Sequence, residues 1–267
     1  MATVVSITNP ITGAVEQVDK LDHTAQQIDD AVALAPQLSN PNLLDNPNFA
    51  VNQRGTTSVH GSPAAYIVDR WKTYGYAVAT ISVLENGHLS MNGGNASAGS
   101  SIRQIFEKTL PAGTYTLSAM VASCANPNSN GNYGMLNIRK GTATVLDSMY
   151  IKGPGITSKT FTVADGEVDG ISIGCVNTST IEFECAKLEL GSQQTLAHKD
   201  ANGNWVLNEI PDYGEQLLRC QRYFQLYSAA DKRPAKAVDC RPVMRADPSQ
   251  GTIVIGSTTY YYNTAEL

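Results

Sequence analysis

The stretch "GTYTLSAMV", residues 113–121, alternates apolar and polar side chains with a period of two. The apolar positions of this stretch are Tyr115, Leu117, Ala119 and Val121. The positions between them are Thr116, Ser118 and Met120. In an extended strand these two sets lie on opposite faces, one toward a core and one away from it. The stretch therefore predicts a strand of an antiparallel sheet with one buried face.

The same alternation recurs between residues 41 and 192, for example at 171–175 and 181–185, and each run ends in Gly, Pro, Asn or Asp. Short alternating runs separated by turns predict a mainly β, antiparallel sandwich. At Ala186 and Lys187 the alternation slips by one residue, which predicts a β-bulge there. We expect the core of the sandwich to contain Trp71, Tyr115, Leu117, Val121, Phe183 and Leu188.

Residues 14–35 show a different period, with apolar residues spaced alternately four and three apart. This heptad pattern predicts a short N-terminal coiled-coil helix that ends at Pro36. Its seam would close against copies of itself in a homotrimer; the alternative is a single amphipathic helix that packs on its own domain. Ahead of it, "VVSITNPITG" predicts a strand and an Asn-Pro turn. The predicted oligomerisation residues are Val18, Leu21, Ala25, Ile28 and Val32.

Residues 193–267 predict a small β-rich C-terminal region with two hairpins, one turning at Asn202-Gly203 and one at Gly256-Ser257. Between them, the spacing of Leu217, Cys220 and Phe224 fits a helix, yet the segment from Cys220 onward also fits a strand. The sequence leaves that choice open. The predicted domains are thus 1–40 for attachment and trimerisation, 41–192 for the sandwich and 193–267 for the C-terminal tip.

Composition excludes several classes of partner. The net charge is −5 with 16% charged residues and no Lys/Arg cluster, so we expect no nucleic-acid binding. No apolar run approaches the roughly 20 residues that span a bilayer, and the N-terminus lacks the apolar stretch of a secretory signal, so we expect no membrane insertion. The five cysteines show no C-x-x-C spacing and predict free thiols, most of them buried.

No catalytic motif is present. The four histidines lack metal-ligand spacing, and the Gly-rich stretches lack the strand-to-helix frame of a phosphate loop, so we expect no metal, no cofactor and no enzymatic activity. Glu182 and Glu184 share one face of a strand. They could form an acid–base pair or bind calcium, but side chains two apart on one strand form no cleft, and a solvated sheet face is the favoured interpretation.

Tyrosines near turns supply candidate ligand contacts, because an exposed ring can stack on a sugar while its hydroxyl remains solvated. They are Tyr66, Tyr74, Tyr76, Tyr133 and Tyr150. Tyr74 and Tyr76 lie beside one loop, and Tyr133 ends the amide-rich stretch "NPNSNGNY". These three residues are the predicted ligand-binding positions, on loops at one rim of the sandwich.

Several blocks in order carry a family resemblance: "NLLDNPNFAVNQRG" at 42–55, "YIVDRWK" at 66–72, "LPAGTYTLSAMV" at 110–121, "AKLELGS" at 186–192 and "GEQLLRCQRYF" at 214–224. Together they resemble phage and prophage fibre-type proteins built on a jelly roll like that of carbohydrate-binding modules. The segments "ITNPITG" at 7–13 and "HTAQQIDDAV" at 23–32 resemble the N-terminal stalk of virion fibres, including head fibres.

The resemblance implies a non-enzymatic appendage on the tail or head of a virion, made in the bacterial host cytoplasm. Such a protein would bind a host-surface glycan or receptor and contact other virion proteins through residues 1–40. The alternatives are a ligand-free decoration or connector protein of the virion, or an accessory subunit of a glycan depolymerase. Related jelly rolls often hold a structural calcium with an Asp pair near the final strand; here the equivalent stretch, "CAKLELGS", offers Glu189 alone.

Overall fold

The computed structural model describes residues 4–8, 15–19, 24, 39–61, 64–74, 79–94, 100–141, 144–231 and 233–267. The chain divides into two compact units, residues 1–38 and 39–267. In the first unit, strands β1 (Val4–Thr8) and β2 (Val15–Asp19) pair antiparallel, with Val5 opposite Val18.

The helix predicted for residues 14–35 is wrong at Val15–Asp19, which is a strand. Val15 and Val18 are β-branched and favour extended backbone, and pairing with β1 supplies the hydrogen bonds that a helix would have made internally. Val18 is therefore not part of a heptad seam. The other predicted seam residues, Leu21, Ala25, Ile28 and Val32, lie outside the described residues.

The second unit contains an antiparallel jelly-roll sandwich of two six-stranded sheets, which confirms the predicted fold class. Sheet I consists of β4 (Tyr66–Val68), β5 (Trp71–Tyr74), β8 (Ser101–Ile105), β10 (Gly134–Lys140), β11 (Thr144–Ile151) and β13 (Gly170–Cys175). Sheet II consists of β3 (Ser58–His60), β6 (Thr80–Val83), β7 (Leu89–Asn92), β9 (Gly113–Ala125), β12 (Gly155–Val163) and β14 (Thr180–Leu190). The strand order is β11-β10-β13-β8-β5-β4 in sheet I and β12-β9-β14-β7-β6-β3 in sheet II.

The core lies between the two sheets and is built from their inward apolar side chains. Trp71 is fully buried and meets Phe49 edge to face, with ring centroids 5.4 Å apart. All six predicted core residues are buried, which confirms that prediction: Trp71, Tyr115, Leu117, Val121, Phe183 and Leu188. The five cysteines are free thiols; Cys124 is half-buried and the other four are buried.

Asn46 organises the Asn-rich segment that leads into the sandwich. Its side chain donates to the carbonyls of Val51 and Asp69, both at 2.9 Å, and accepts from the amide of Val51 at 2.9 Å. The backbone carbonyl of Asn46 accepts from the indole of Trp71 at 2.8 Å. Asn46 also has a φ of 51°, a conformation that asparagine tolerates better than most residues. These contacts explain the spacing between "NLLDNPNF" and "DRW".

The bulge in β14 lies earlier than predicted. The register of β14 against β9 shifts between Glu182 and Cys185 instead of at Ala186–Lys187. After the shift, Ala186 and Leu188 resume the inward face that Ile181 and Phe183 occupied. The change of face is therefore the predicted one, but it occurs earlier in the strand. Cys185 follows the register shift and is itself buried, so the apolar alternation of the sequence continues past the true position of the bulge.

Beyond the sandwich, the hairpin β15 (Ala197–Lys199) and β16 (Trp205–Leu207) is followed by helix α1 (Tyr213–Gln221) and a three-stranded sheet. That sheet consists of β17 (Phe224–Tyr227), β18 (Ser249–Ile255) and β19 (Thr258–Thr264), with a 3-10 helix at Ala237–Asp239. Asp212 caps α1 by accepting from the amide of Glu215. The helix ends before Phe224, so the choice left open by the sequence resolves as helix and then strand. Both predicted hairpin turns are confirmed.

Helix α1 and the end of the chain pack on the sandwich through buried ion pairs. Glu266 accepts from Arg54 at 2.9 Å and from Arg70 at 3.2 Å. Asp45 pairs with Arg70 at 3.1 Å and with Arg219 at 2.8 Å. These contacts join helix α1 and the end of the chain to the sandwich and to the segment that precedes it in the sequence. Among the residues that the structure describes, no helix is long and apolar enough to cross a membrane.

Candidate functional site on the outward face of sheet I

The register of sheet I lines up two exposed tyrosines at opposite ends of one row of side chains. The row runs across five strands: Tyr74, Ser101, Gly174, Met135 and Tyr150. Ile102 and Ile173, which alternate with these residues, lie in the core, so the row faces outward. Four inter-strand steps of about 4.8 Å separate the end strands by roughly 19 Å. Ser101 and Gly174 have small side chains, so the middle of the row does not project far from the sheet.

Beside this row lies a second one, which is polar: Lys72, Arg103, Ser172, Asn137 and Ser148. Its central members are buried although they point away from the core; Arg103 is 3% exposed, Ser172 is 0% and Asn137 is 6%. The Asn137 amide donates to the Ser172 hydroxyl at 3.1 Å. Among the described residues, the side-chain amide oxygen of Asn137, Oδ1, has no hydrogen-bond partner. A buried acceptor in this state is costly and marks a place where a donor can bind.

Two guanidinium groups lie against the ring of Tyr74. Arg103 is 5.2 Å from the ring centroid and Arg139, in the neighbouring row opposite Gly170, is 4.9 Å from it. Both arginines are almost fully buried, whereas Tyr74 is 38% exposed and covers them. Burial lowers the pKa of Arg103, the adjacent charge of Arg139 lowers it further, and Asp169 acts in the opposite direction.

The loop beyond β10 fixes this arrangement. Arg103 donates to the carbonyl of Gly141 at 2.7 Å, and the carboxylate of Asp169 accepts from the amide of Gly141. Within the sheet, Gly174 is required by close packing, because a Cβ there would lie 2.2 Å from the carbonyl oxygen of Ser100. We refer to the two rows described above, together with Arg139, as the polar face. It extends from Tyr74 to Tyr150 and includes Arg103 and Asn137.

The structure places the three predicted ligand residues differently. Tyr74 lies on the polar face. Tyr76 lies outside the described residues. Tyr133 is half-buried and packs against the hydrophobic core, with its amide donating to Ile151, so the structure does not bring its ring to Tyr74.

Sequence reasoning did not select Tyr150, Arg103 or Arg139. Tyr150 belongs to the same row as Tyr74 only through the pairing of β5, β8, β13, β10 and β11, which are distant in sequence. The one available signal was the alternation of β10, which places Asn137 and Arg139 opposite the buried Leu136 and Ile138.

A cleft of about 560 Å³ lies between the sandwich and helix α1, with Phe106, Leu110 and Tyr115 among its walls. Most of its charged groups pair with one another. Glu107 pairs with Arg222 at 2.9 Å, and the Asp45–Arg219 pair described above lines the same cleft. The polar face, with its unsatisfied acceptor, is therefore the better candidate for a ligand site.

Two of the acidic residues weighed from the sequence, Glu182 and Glu189, interact with neighbouring residues. Glu182 accepts from Asn86 at 3.0 Å and from Ser123 at 2.9 Å, and lies 2.6 Å from His88 Nδ1. Glu189 is fully buried and accepts from the amide of Thr195 at 2.7 Å and from its hydroxyl. In the described part of the chain, no group of three or more His, Cys, Asp or Glu residues is arranged to hold a metal ion.

No protein family model matches the sequence, and no curated protein matches it. Among solved structures, the chain is similar to the C-terminal CBM6 of LamC, a marine laminarinase from Zobellia galactanivorans, with 14% identity, 49% of this chain and 97% of that chain covered, and a TM-score of 0.30. It is also similar to a family 35 carbohydrate binding module from Clostridium thermocellum, with 14% identity, 45% and 92% covered, and a TM-score of 0.31.

A third similarity is to the enzymatically active domain of bacteriophage CBA120 tailspike protein 4, with 10% identity, 56% of this chain and 21% of that chain covered, and a TM-score of 0.34. At these identities and TM-scores the similarities assign neither a family nor a function. The sandwich and the polar face have to be interpreted from their own residues.

Proposed function

We propose that the chain is a non-enzymatic glycan-binding appendage protein of a bacteriophage or prophage virion, and that the polar face binds the glycan. The observation that carries the glycan-binding part is the row from Tyr74 to Tyr150, with the unsatisfied side-chain amide oxygen of Asn137 beside it. Tyrosine rings offer flat apolar surface to sugar rings, and buried amides and hydroxyls bond sugar hydroxyl groups. The ordered sequence blocks that resemble phage fibre proteins support the virion part.

In this proposal residues 1–40 attach the protein to other virion proteins and form a homotrimer with copies of themselves. The protein resides on the particle, on either the tail or the head. A ligand-free decoration or connector protein and an accessory subunit of a glycan depolymerase are the competing functions. The trimer is tested by light scattering on Leu21→Asp and Ile28→Asp. A charge buried in the remaining predicted seam, which consists of Leu21, Ala25, Ile28 and Val32, should dissociate the assembly. An unchanged mass would exclude the seam as its cause.

Glycan binding is tested with Tyr74→Ala and Tyr150→Ala in a host-cell binding assay and on a glycan array. Each variant should weaken binding about tenfold with an unchanged melting temperature, because exposed rings contribute little to the core. Tyr213→Ala is the matched control, since Tyr213 is 55% exposed on helix α1 and lies outside the polar face. If Tyr74→Ala and Tyr150→Ala bind as the parent does, the polar face is not the site.

The enzymatic alternative is tested by incubating the protein with host cell-wall glycan and measuring new reducing ends. We expect none above the buffer control. Release of reducing sugar would replace the binding-only function by a depolymerase function.

A further inference from the structure

We infer that the polar face binds an acidic glycan, a saccharide with a uronic-acid carboxylate, and that Arg139 and Arg103 bind that carboxylate. This inference rests on the proposed glycan-binding function and specifies its substrate class. It follows from the charges placed under Tyr74, from the hydrogen-bond pattern beside them and from the exposure of the ring itself.

The charge argument starts from two like charges held close together. The guanidinium groups of Arg103 and Arg139 contact the same ring, and the charge of Arg139 lowers the pKa of Arg103. Lys72 adds a third cation in the same row as Arg103. Asp169 is a neighbouring carboxylate that offsets part of this charge. The polar face is thus cationic on a chain whose net charge is −5, which favours an anion at this place.

The hydrogen-bond pattern narrows the anion to one that also carries hydroxyl groups. Guanidinium groups are donors only and match the two oxygens of a carboxylate. Two residues before Arg139 on β10, the side-chain amide oxygen of Asn137 is a buried acceptor that needs a donor. A carboxylate and a hydroxyl on the same sugar ring supply both, whereas an inorganic anion without a proton, such as sulfate, leaves the Asn137 acceptor unsatisfied.

The ring of Tyr74 provides the route to the arginines. It covers both guanidinium groups but is itself 38% exposed, at the end of β5. A cation–π contact made by a partly exposed ring is weaker than a charge-assisted hydrogen bond. An incoming carboxylate can therefore replace the ring over the guanidinium groups, and the displaced ring is then free to stack on the sugar.

The experiment compares acidic polysaccharides with their own neutral derivatives on the full chain. Polygalacturonate, alginate and hyaluronan are each tested beside the carboxyl-reduced form by affinity electrophoresis and calorimetry. We expect at least one acidic polymer to bind, its carboxyl-reduced form to bind at least about tenfold more weakly, and affinity to fall as salt rises from about 50 to 500 mM. This comparison needs no protein variant, so a misfolded mutant cannot imitate the result.

Two variants then test whether Arg139 supplies the charge that binds the carboxylate. Arg139→Gln should weaken binding of the acidic polymer about tenfold and reduce its salt dependence, because one of the cations of the polar face is lost. Arg139→Lys keeps the charge and should retain more of both. Lys236→Gln is the control, because Lys236 is an exposed cation paired with Asp247 outside the sandwich. Melting curves establish that each variant is folded.

The outcomes separate this inference from the proposed function. Equal binding of acidic and carboxyl-reduced polymers would overturn the acidic specificity and leave glycan binding in place. The same follows if none of the polymers binds but whole host cells are still bound through Tyr74 and Tyr150. Absence of binding to both the polymers and the cells would overturn both proposals. Retained affinity in Arg139→Gln would overturn the role of the arginines.

Discussion

At the scale of single residues, one buried amide fixes the start of the sandwich. Asn46 is 0% exposed, and its side chain satisfies both backbone groups of Val51 and the carbonyl of Asp69. Its own carbonyl accepts from the indole of Trp71. The burial of Trp71 was predictable from the alternation around it. The role of Asn46 was not, because it depends on a positive φ and on partners that only the folded backbone brings together.

Replacing Asn46 by Ala should destabilise the protein by about 2–4 kcal/mol. The change removes three buried hydrogen bonds to the backbone of Val51 and Asp69, although the Val51 carbonyl still accepts from the amide of Asp69. It also keeps a positive φ at a residue that adopts it poorly. Urea unfolding followed by tryptophan fluorescence measures the loss. Asn130→Ala, in the exposed turn before β10, is the control and should change the stability by less than about 0.5 kcal/mol. Equal stability of the two variants would show that Asn46 does not organise the segment.

At the scale of elements, the sequence predicted which segments form strands better than it predicted which strands lie side by side in a sheet. The alternation of β9 and β13, and that of β14 at Ile181 and Phe183, placed the inward residues correctly, because burial of one face follows directly from a period of two. The bulge of β14 was predicted too late in the strand, because Cys185 continues the apolar alternation in the sequence although it follows the register shifts and lies outside the core cluster. The strand at Val15–Asp19 was predicted as helix because four-three spacing can also arise in a short hairpin.

The candidate site depends on which strands pair, and alternation within a strand does not reveal this. Tyr74 and Tyr150 share a row through four pairings between strands whose order in sheet I differs from their order in the chain. One sequence shows which residues of each strand face outward, but not which strands are adjacent. Tyr74 could therefore be proposed as a ligand residue, and Tyr150 was one of the tyrosines noted near turns. That Tyr150 shares a row with Tyr74, and that the two arginines lie beside that row, followed only from the register.

Strand β14 carries a pH-dependent interaction at Glu182. Hydrogen bonds from Asn86, His88 and Ser123 hold the pKa of Glu182 below its ordinary value, although burial opposes them. A carboxyl group with a depressed folded-state pKa stabilises the protein above its unfolded pKa of about 4.3, and this contribution is lost as the pH falls through the folded-state value.

Glu182→Gln should therefore be less stable than the parent at pH 7, by about 1 kcal/mol or less since the group is partly exposed. The difference should shrink as the pH is lowered below about 4. Melting temperatures of both proteins between pH 3 and pH 8 measure it. Glu85→Gln, in the exposed turn after β6, controls for the loss of one negative charge. A difference that stays constant down to pH 3 would contradict the ionic origin.

At the scale of the whole molecule, the described contacts join the sandwich to the C-terminal region within residues 39–267. Glu266 lies between Arg54 and Arg70, and the side chains of all three are at most 10% exposed. Asp69 and Asp45 complete the network on the sandwich side. Removing one partner from a buried network is costly, because the remaining charges lose compensation that water cannot replace.

Glu266→Gln should lower the free energy of unfolding of the whole unit by about 1–3 kcal/mol, because Arg54 and Arg70 keep their aspartate partners but lose a shared charge. The matched control is Asp247→Asn, which breaks an exposed ion pair with Lys236 and should cost about 0.5 kcal/mol or less. Equal effects of the two changes would show that the buried network does not hold the C-terminal region to the sandwich.

The two tryptophans make the cooperativity of this unit measurable, because Trp71 lies in the sandwich core and Trp205 lies on β16. Trp205 also packs against the sandwich, since a Cβ at Gly155 of β12 would lie 2.5 Å from its indole nitrogen. In Trp205→Phe the fluorescence reports Trp71, and in Trp71→Phe it reports Trp205. Within each variant, the urea transition followed by fluorescence should coincide with the one followed by far-UV circular dichroism, because the sandwich and the C-terminal region unfold together. If Trp205 reports an earlier transition than circular dichroism does, the C-terminal region unfolds separately, and Glu266→Gln should then shift that earlier transition alone.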